Sequence, residues 1–396
     1  MEKKHNTLRL CLAAGLIPFV LLLCSFALLG IAPFGDKTIL IYDASYQYLD
    51  FAAYLQTVFS GENDLIYTFS KNLGGEMLSL FCYYLLSPFS LLFAFGSAQS
   101  LPLVFTLVVV LKISACGVTF AYAAAKRFGC QWSHLIFSTA YALMAYNVLY
   151  SWNIMWMDGV LVLPLLALGL EKLWHGKSPW LYAGSLSYGL LTNFYIGYML
   201  CIASVLFSLA HMAVATGSAK EKAGLFGRFL LASGIGGFAA AFCWLPTFFT
   251  LIGGRGAAAS SSFVWTRTFN ILGLAGKLVA GSANAEQITL GTPHVFCGIF
   301  TVFLVMVFFL HGKNSIRNRL TALGVIAVFL VSFSIRGLDV IWHGFSPNNA
   351  FNFRYAFILS YVLLVIAQYG CQSRQNVYRW TMRSLWKKQM QWNRQR

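Results

Sequence analysis

Two aspartates stand out as candidates for acid–base chemistry. Asp43 follows the first long apolar run, in the stretch YDASYQY, and Gln47 comes four residues later. That spacing places both side chains on one face of a helix. Asp158 is the one acid between Glu76 and Glu171, and its neighbours are apolar or aromatic. A carboxylate in such surroundings is costly unless it is paired or used, so the two acids predict a general base and an orienting or cation-binding acid.

A simpler interpretation of either acid stays open, because acids near a helix N-terminus are favoured by the helix dipole alone. Arg354 and His343 precede the last apolar run, in IWHGFSPNNAFNFRYAF. A guanidinium pairs well with phosphate oxygens, so Arg354 predicts a phosphate site. An arginine at a membrane boundary also extends to lipid headgroups, which is the alternative. Further phosphate contacts are expected from three basic residues of one loop, Arg255, Arg267 and Lys277.

Lys112 is the one charge near the middle of an apolar run, in VVVLKISACG. Charges inside a membrane are functional candidates by default, but this one can also pair with a helix carbonyl or reach an interface. Asn193 and Tyr195 lie in a turn between two short apolar runs. They are candidates for substrate contact, and the alternative is that they only end a helix.

The elements that carry these residues are predicted to be membrane-spanning helices. The chain has 396 residues, of which 58% are hydrophobic and only 10% charged, and its mean hydropathy is +0.68. Continuous apolar runs of about 20 residues predict an all-α polytopic transmembrane bundle rather than a barrel. The net charge of +16 is then explained by basic loops and not by nucleic acid. The nine cysteines include no CxxC pair, so neither zinc nor a disulfide framework is expected.

About ten spans are predicted, and the charged residues orient them. The predicted spans cover residues 10–33, 101–125, 133–150, 159–174, 179–192, 196–215, 229–251, 293–310, 320–335 and 355–370. The apolar stretch 77–95 is interrupted by Ser87-Pro88 and is predicted to be re-entrant or interfacial. With both termini in the cytoplasm, the inner segments hold 20 of 28 Lys and Arg residues but 3 of 12 acids. This asymmetry follows the positive-inside rule.

The resulting topology places the long segments outside. Residues 1–371 form the transmembrane domain, with outer segments 34–100, 252–292 and 336–354, and residues 372–396 form a basic cytoplasmic tail. In the first outer segment, Asp43, Gln47, Asp50 and Tyr54 follow one helical face and Leu49, Ala52 and Ala53 another. This pattern predicts an amphipathic helix on the membrane surface. Function is expected on the outer face, because long loops commonly carry it.

Five stretches in the expected order resemble the bacterial YfhO family. They are NLGGEMLSLFCYYLLSPFSLL (72–92), WMDGVLVLPLLALGLEKL (156–173), LTNFYIGYM (191–199), LGTPHVFCGIF (290–300) and NNAFNFRYAFI (348–358). That family is similar to GT-C glycosyltransferases, which use polyprenyl-phosphate-linked sugars on the outer face of the membrane. Its members are typically longer, so this sequence is expected to be a short or truncated member.

The resemblance implies an activity and roles for individual residues. A sugar would pass from a polyprenyl phosphate to a cell-envelope polymer such as teichoic acid in the bacterial cytoplasmic membrane. Asp43 would be the catalytic base and Asp158 the second acid. The one candidate cofactor is a divalent cation, and the metal requirement stays open. Substrate contacts are expected from seven residues: Tyr46, Gln47, Glu76, Asn193, Tyr195, His343 and Arg354. Two alternatives stay open, a transporter or flippase of lipid-linked precursors and a non-catalytic paralogue.

Overall fold

The structure, a computed structural model, is almost entirely helical. It describes residues 2–71, 73–253, 265–282, 291–311, 314–345 and 350–372. The helices of the first half are α1 (Glu2–Leu29), α2 (Leu49–Phe59), α3 (Leu78–Tyr84), α4 (Leu101–Phe128), α5 (His134–Ala142), α6 (Ala145–Leu149) and α7 (Ile154–Trp174). Those of the second half are α8 (Trp180–Thr192), α9 (Phe194–Val214), α10 (Ala219–Ala239), α11 (Ala241–Gly253), α12 (Ile299–Leu310), α13 (Ile316–Ser334), α14 (Arg336–Trp342) and α15 (Ala356–Gln372).

Among the described residues, five helices are long and apolar enough to cross a membrane, namely α1, α4, α7, α9 and α13. Two bent pairs raise the number to seven if each pair is one span. One pair joins α10 to α11 at 74°, and the other joins α3 to the 3-10 segment Pro88–Phe95 at 101°. The second bend falls at the predicted Ser87-Pro88 interruption, and its geometry fits either a broken span or a re-entrant loop.

Four further predicted spans contain shorter helices, which are α5 with α6, α8, α12 and α15. The helix predicted over 133–150 breaks at Leu143 and Met144, and α12 starts six residues later than expected. The count of ten therefore stays a prediction, while an all-α membrane protein is what the structure supports. The predicted tail from residue 373 onwards lies outside the described residues.

Helix α7 forms the centre of the bundle and packs against α4, α8 and α9. It is the most completely buried of the long helices, whereas α1 lies at the periphery and contacts α4 and α5. Glycine permits the closest of these approaches. A Cβ atom on Gly117 of α4 would lie 2.5 Å from the carbonyl oxygen of Ala14 in α1. Small residues at such contacts let membrane helices pack backbone to backbone.

The first predicted outer segment is ordered against the bundle. A π-helical turn (Ala44–Tyr48) leads into α2, and a short antiparallel ribbon pairs β1 (Tyr67–Thr68) with β2 (Gly75–Glu76) before α3. A helix is therefore present in the predicted stretch. Its buried face, with Ala52 and Leu55, packs against α4 and the 3-10 segment, so protein covers part of its apolar side. Its location at the membrane surface stays a prediction.

Candidate functional site

Arg354 lies in an aromatic cage just before α15. Its Cζ atom is 5.0 Å from the ring centroids of Trp156 and Tyr195 and 5.8 Å from that of Phe351. Nε donates to the carbonyl oxygen of Phe351 at 3.2 Å, and Nη2 donates to that of Ala350 at 3.3 Å. None of the ion pairs found among the described residues involves Arg354. Its charge is thus held in place by ring faces and carbonyls, without a carboxylate to neutralise it.

Asp43 caps the π-helical turn and is half-buried. The hydroxyl of Tyr48 lies 3.4 Å from its Oδ2 atom and donates to Oδ1 of Asn153 at 2.9 Å. Burial raises the pKa of Tyr48 well above its ordinary value, with smaller contributions from Tyr84 and Asp43, so the phenol stays a donor. Asn153 caps α7, and this chain of contacts joins Asp43 to the start of the central helix.

Tyrosines fill the space between Asp43 and Arg354. Tyr83 and Tyr84 end α3, and the ring of Tyr84 lies 5.3 Å from that of Tyr48. Tyr84 is within electrostatic range of both Asp43 and Arg354. Tyr83 lies beside it at 4.6 Å between ring centroids and 6.5 Å from the ring of Tyr195. The acid and the guanidinium therefore share one aromatic-lined region at the end of the bundle where α7, α9 and α15 begin.

Strained backbone flanks both charged groups. Tyr42, next to Asp43, has φ of +49°, and Phe351 and Phe353, around Arg354, have φ of +57° and +60°. Bulky residues rarely adopt this left-handed conformation, which persists only where surrounding structure imposes it. Such strain concentrates at functional sites, so its occurrence beside both predicted residues supports a site here.

Asp158 is fully buried one turn below this region, and its carboxylate is fully engaged. Oδ2 lies 2.6 Å from Nζ of Lys112, and Oδ1 accepts from Tyr188 at 2.6 Å and from Ser87 at 3.0 Å. Lys112 also donates to the carbonyl oxygen of Ile154 at 2.9 Å. This network ties α4, α7 and α8 to the bend at Ser87. It keeps α3, which carries Tyr83 and Tyr84, in its position.

The other predicted substrate residues divide into two groups. Asn193 caps α9 by accepting from the Ile196 amide at 2.8 Å, and its Nδ2 donates to the carbonyl oxygen of Tyr83 at 3.0 Å, so it holds that tyrosine. Glu76 instead accepts from the Ser79 amide at 2.9 Å, at the start of α3.

Tyr46 and Gln47 are exposed, and among the described residues no partner of Gln47 is found. The π-helical turn explains this outcome, because it brings residue i+5, Tyr48, over Asp43 instead of residue i+4. Of the loop cations, Arg267 is exposed and Lys277 donates to the carbonyl oxygen of Ser282 at 2.7 Å. Arg255 lies outside the described residues.

His343 also lies beside Tyr195, with 6.0 Å between its ring centroid and that of Tyr195. Its Nδ1 atom is 2.8 Å from the carbonyl oxygen of Asp339 and 3.5 Å from Oδ1 of the same residue. Burial lowers the pKa of His343 to about 3 and raises that of Asp339 to about 7. At neutral pH the imidazole is therefore uncharged, and the contact is not an ion pair.

Several residues of this region were not predicted as site residues: Tyr48, Tyr83, Tyr84, Asn153, Trp156 and Asp339. The adjacent tyrosines Tyr83 and Tyr84 precede the Ser87-Pro88 break, and this pattern is a local sequence signal for the tyrosine contacts. Asp339 carries no such signal, because only the packing of α14 brings it beside His343. Among the described residues, no three His, Cys, Asp or Glu side chains are placed to hold a metal ion.

Comparison with known proteins gives one family. A model of the bacterial membrane protein YfhO matches residues 14–386, which is nearly the whole chain. No curated protein and no solved structure was found to match. The match covers both the Asp43 region and the Arg354 cage. The chain therefore belongs to the YfhO family of bacterial membrane proteins.

Proposed function

We propose that this protein is a membrane glycosyltransferase of the GT-C type. It transfers a sugar from a polyprenyl phosphate to a hydroxyl group of a cell-envelope polymer, such as teichoic acid, on the extracytoplasmic face. The proposal rests on one observation. The guanidinium of Arg354, which has no ion-pair partner among the described residues, and the half-buried carboxylate of Asp43 lie at the same tyrosine-lined region. Family membership agrees with this activity.

The environment of Arg354 suits a phosphate. The rings of Trp156 and Tyr195 each lie 5.0 Å from Cζ of the guanidinium, so aromatic groups cover part of it and its N–H groups remain to donate hydrogen bonds. Nε and Nη2 each donate to a backbone carbonyl, whereas Nη1 has no acceptor among the described residues. Edge-on donation is the geometry in which guanidinium binds phosphate oxygens. The donor phosphate and the leaving polyprenyl phosphate would both be bound there.

Asp43 is the proposed base. As the acceptor oxygen attacks the anomeric carbon, its proton passes to the Asp43 carboxylate. The bond between the anomeric carbon and the phosphate oxygen breaks, the phosphate keeps the electron pair, and Arg354 stabilises the added charge. A single displacement of this kind inverts the anomeric configuration. Tyr48 contacts the carboxylate through its hydroxyl, and Asn153 holds Tyr48 in place by accepting a hydrogen bond from the same hydroxyl.

Asp158, predicted as the second catalytic acid, enters the proposal as a positioning residue. Its oxygens already accept hydrogen bonds from Lys112, Tyr188 and Ser87, and its side chain is fully buried. Through Ser87 it holds the bend that carries Tyr83 and Tyr84. Its effect on transfer would then be exerted through the geometry of those tyrosines.

The test is transfer of radiolabelled sugar from the polyprenyl carrier to envelope polymer in isolated membranes. Asp43→Asn should lower the rate about a hundredfold or more, since general-base catalysis contributes that much. Arg354→Lys should have a similar effect, because an ammonium group cannot both stack on the aromatic rings and donate two parallel hydrogen bonds to a phosphate. Asp50→Asn, an exposed acid on the next helical turn, is the matched control. Equal activity of Asp43→Asn and wild type would refute the mechanism.

A transporter or flippase is the second candidate, and the two bent helix pairs favour it. Broken helices are common in proteins that carry substrates across membranes. Flipping of lipid-linked precursors in proteoliposomes, without sugar transfer and lost in Lys112→Leu, would support this alternative. Absence of both activities in a well-folded preparation would favour the non-catalytic paralogue.

A further inference from the structure

Three buried polar groups near the Arg354 cage have no hydrogen bond of normal geometry among the described residues, although the Tyr355 hydroxyl and the Asp339 carboxyl are close enough to interact with each other. The three groups are Oδ1 of Asp339, Nε2 of His343 and the hydroxyl of Tyr355. Asp339 is 7% exposed, His343 1% and Tyr355 not at all. A buried polar group without a partner destabilises a fold, so such groups are few in native proteins. Three together at one place therefore need an explanation.

The local backbone fixes these groups. Tyr198 in α9 donates to the carbonyl oxygen of Ile341 at 2.9 Å, and the amide of Arg336 donates to that of Thr266 at 3.0 Å. Trp342 stacks on Tyr355 with 4.5 Å between centroids and 8° between planes. Helix α14 is thus held at both ends, which prevents Asp339 and His343 from turning towards solvent.

Their hydrogen-bonding roles follow from the contacts. Nδ1 of His343 lies 2.8 Å from a carbonyl oxygen, so it carries the proton and Nε2 is an acceptor. Asp339 Oδ1 is a second acceptor, and the Tyr355 hydroxyl both donates and accepts. The ring of Tyr195 lies 6.0 Å from that of His343 and 5.0 Å from Cζ of Arg354, and Arg354 acts electrostatically on both His343 and Asp339. The three groups therefore lie near the proposed phosphate site.

This set of groups selects a class of ligand. A second phosphate is disfavoured, because a carboxyl and a neutral imidazole offer it no charge. A polyprenyl chain is disfavoured, because it would leave the polar atoms unpaired. A hydroxyl group both donates and accepts, and neighbouring hydroxyls on a pyranose can pair with several fixed groups at once. The aromatic rings around them suit the C–H faces of a sugar.

We propose that Asp339, His343 and Tyr355 form the subsite that binds the hydroxyls of the transferred sugar and so determine which sugar is accepted. This inference rests on the proposed function, since it identifies the sugar end of a donor whose phosphate is bound by Arg354. It adds residues that recognise the donor without taking part in the bond changes.

The experiment measures binding and needs no transfer. Tryptophan fluorescence would follow titration of the detergent-purified full chain with polyprenyl-phosphate-glucose, with its monodeoxy forms, with other polyprenyl-phosphate hexoses and with bare polyprenyl phosphate. Wild type should bind its preferred glycosylated lipid at least about tenfold more tightly than the bare lipid. Asp339→Asn, His343→Phe and Tyr355→Phe should each reduce this preference about tenfold and leave affinity for the bare lipid unchanged.

Control variants keep the outcome interpretable. His343→Gln restores an acceptor and should recover part of the preference. His134→Phe removes another buried histidine at the opposite end of the bundle and should behave as wild type. If the preference is the same in the three subsite variants as in wild type, the subsite is refuted while the phosphate site stands. If wild type binds no lipid phosphate, or Arg354→Lys binds it equally well, the proposed function itself fails.

Discussion

The buried Lys112 and the half-buried Arg354 differ in what neutralises their charge. Lys112 has a carboxylate at 2.6 Å and a carbonyl at 2.9 Å, so its environment is complete. Arg354 has ring faces and backbone carbonyls but no carboxylate among the described residues. The first arrangement stabilises three helices against one another, and the second leaves positive charge for an anion. Sequence alone gave equal weight to function and packing at Lys112, and the network favours packing.

The Lys112 and Asp158 pair yields a stability prediction. Lys112→Met would leave an uncompensated carboxylate in the core and should lower the free energy of unfolding by roughly 3–5 kcal/mol. Adding Asp158→Asn removes that charge and still accepts hydrogen bonds from Tyr188 and Ser87, so the double variant should recover most of the loss. Thermal unfolding in detergent would measure both. A double variant no more stable than the single one would contradict the explanation.

Asp339 yields a pH prediction. Burial raises its pKa from the ordinary 3.8 to about 7, although Tyr355, Arg336 and Arg354 act in the opposite direction. The folded state favours the neutral form of the Asp339 carboxyl. Its contribution to the free energy of unfolding is therefore complete below pH 3.8 and is lost as the pH rises through 7. Between pH 5 and 8.5, wild type should lose on the order of 2 kcal/mol relative to Asp339→Asn.

The comparison with Asp339→Asn isolates the carboxyl, because His343 faces it in both proteins and has its pKa lowered to about 3 by burial. The measurement is the difference between the two melting temperatures at each pH. A difference that does not change across this window would show that Asp339 is already ionised in the folded protein.

At the scale of elements, the π-helical turn is the feature that sequence spacing did not resolve. An i, i+4 pattern predicts that Asp43 and Gln47 share a face, which holds for an α-helix. The turn is wider, so Tyr48 approaches Asp43 and Gln47 remains exposed. Sequence did predict a helix over this stretch, the interruption at Ser87-Pro88 and the aromatic neighbours of both acids.

Helix contacts make a testable prediction at Gly117. A methyl group there would meet the Ala14 carbonyl oxygen at 2.5 Å, so Gly117→Ala should push α1 from α4 and cost about 1–3 kcal/mol of stability. Gly184→Ala in α8 meets nothing within 4 Å and is the matched control, with a gain of up to about 1 kcal/mol expected. Equal melting temperatures for the two variants would contradict the close packing of α1 on α4.

At the scale of the whole molecule, the orientation in the membrane is a prediction from the distribution of charged residues between the loops. The basic residues are concentrated on one set of loops and nine of the twelve acids on the other. In the helix order described above, Asp43, Arg354 and Asp339 all fall at the end that this asymmetry assigns to the outside. The structure brings these residues to one end of the bundle, and the charge distribution predicts that this end faces outward.

Labelling with a membrane-impermeant maleimide would test the orientation. A cysteine at exposed Glu62, in Glu62→Cys, should react in intact cells. Cys130 is exposed at the opposite end, after α4, and should react only after the membrane is permeabilised. The reverse pattern would place the site in the cytoplasm and exclude an extracytoplasmic acceptor.

Sequence by itself determined that this is a helical membrane protein, where most helices lie, and that Asp43, Asp158 and Arg354 are unusual. Those features are local, because hydropathy, charge and motif order can be read along the chain. Only the tertiary structure decided that Lys112 pairs with Asp158, that Arg354 has no ion-pair partner in the described part of the chain, and that Asp339 joins His343. These outcomes depend on contacts between helices far apart in sequence, and packing, not spacing, sets which charges meet.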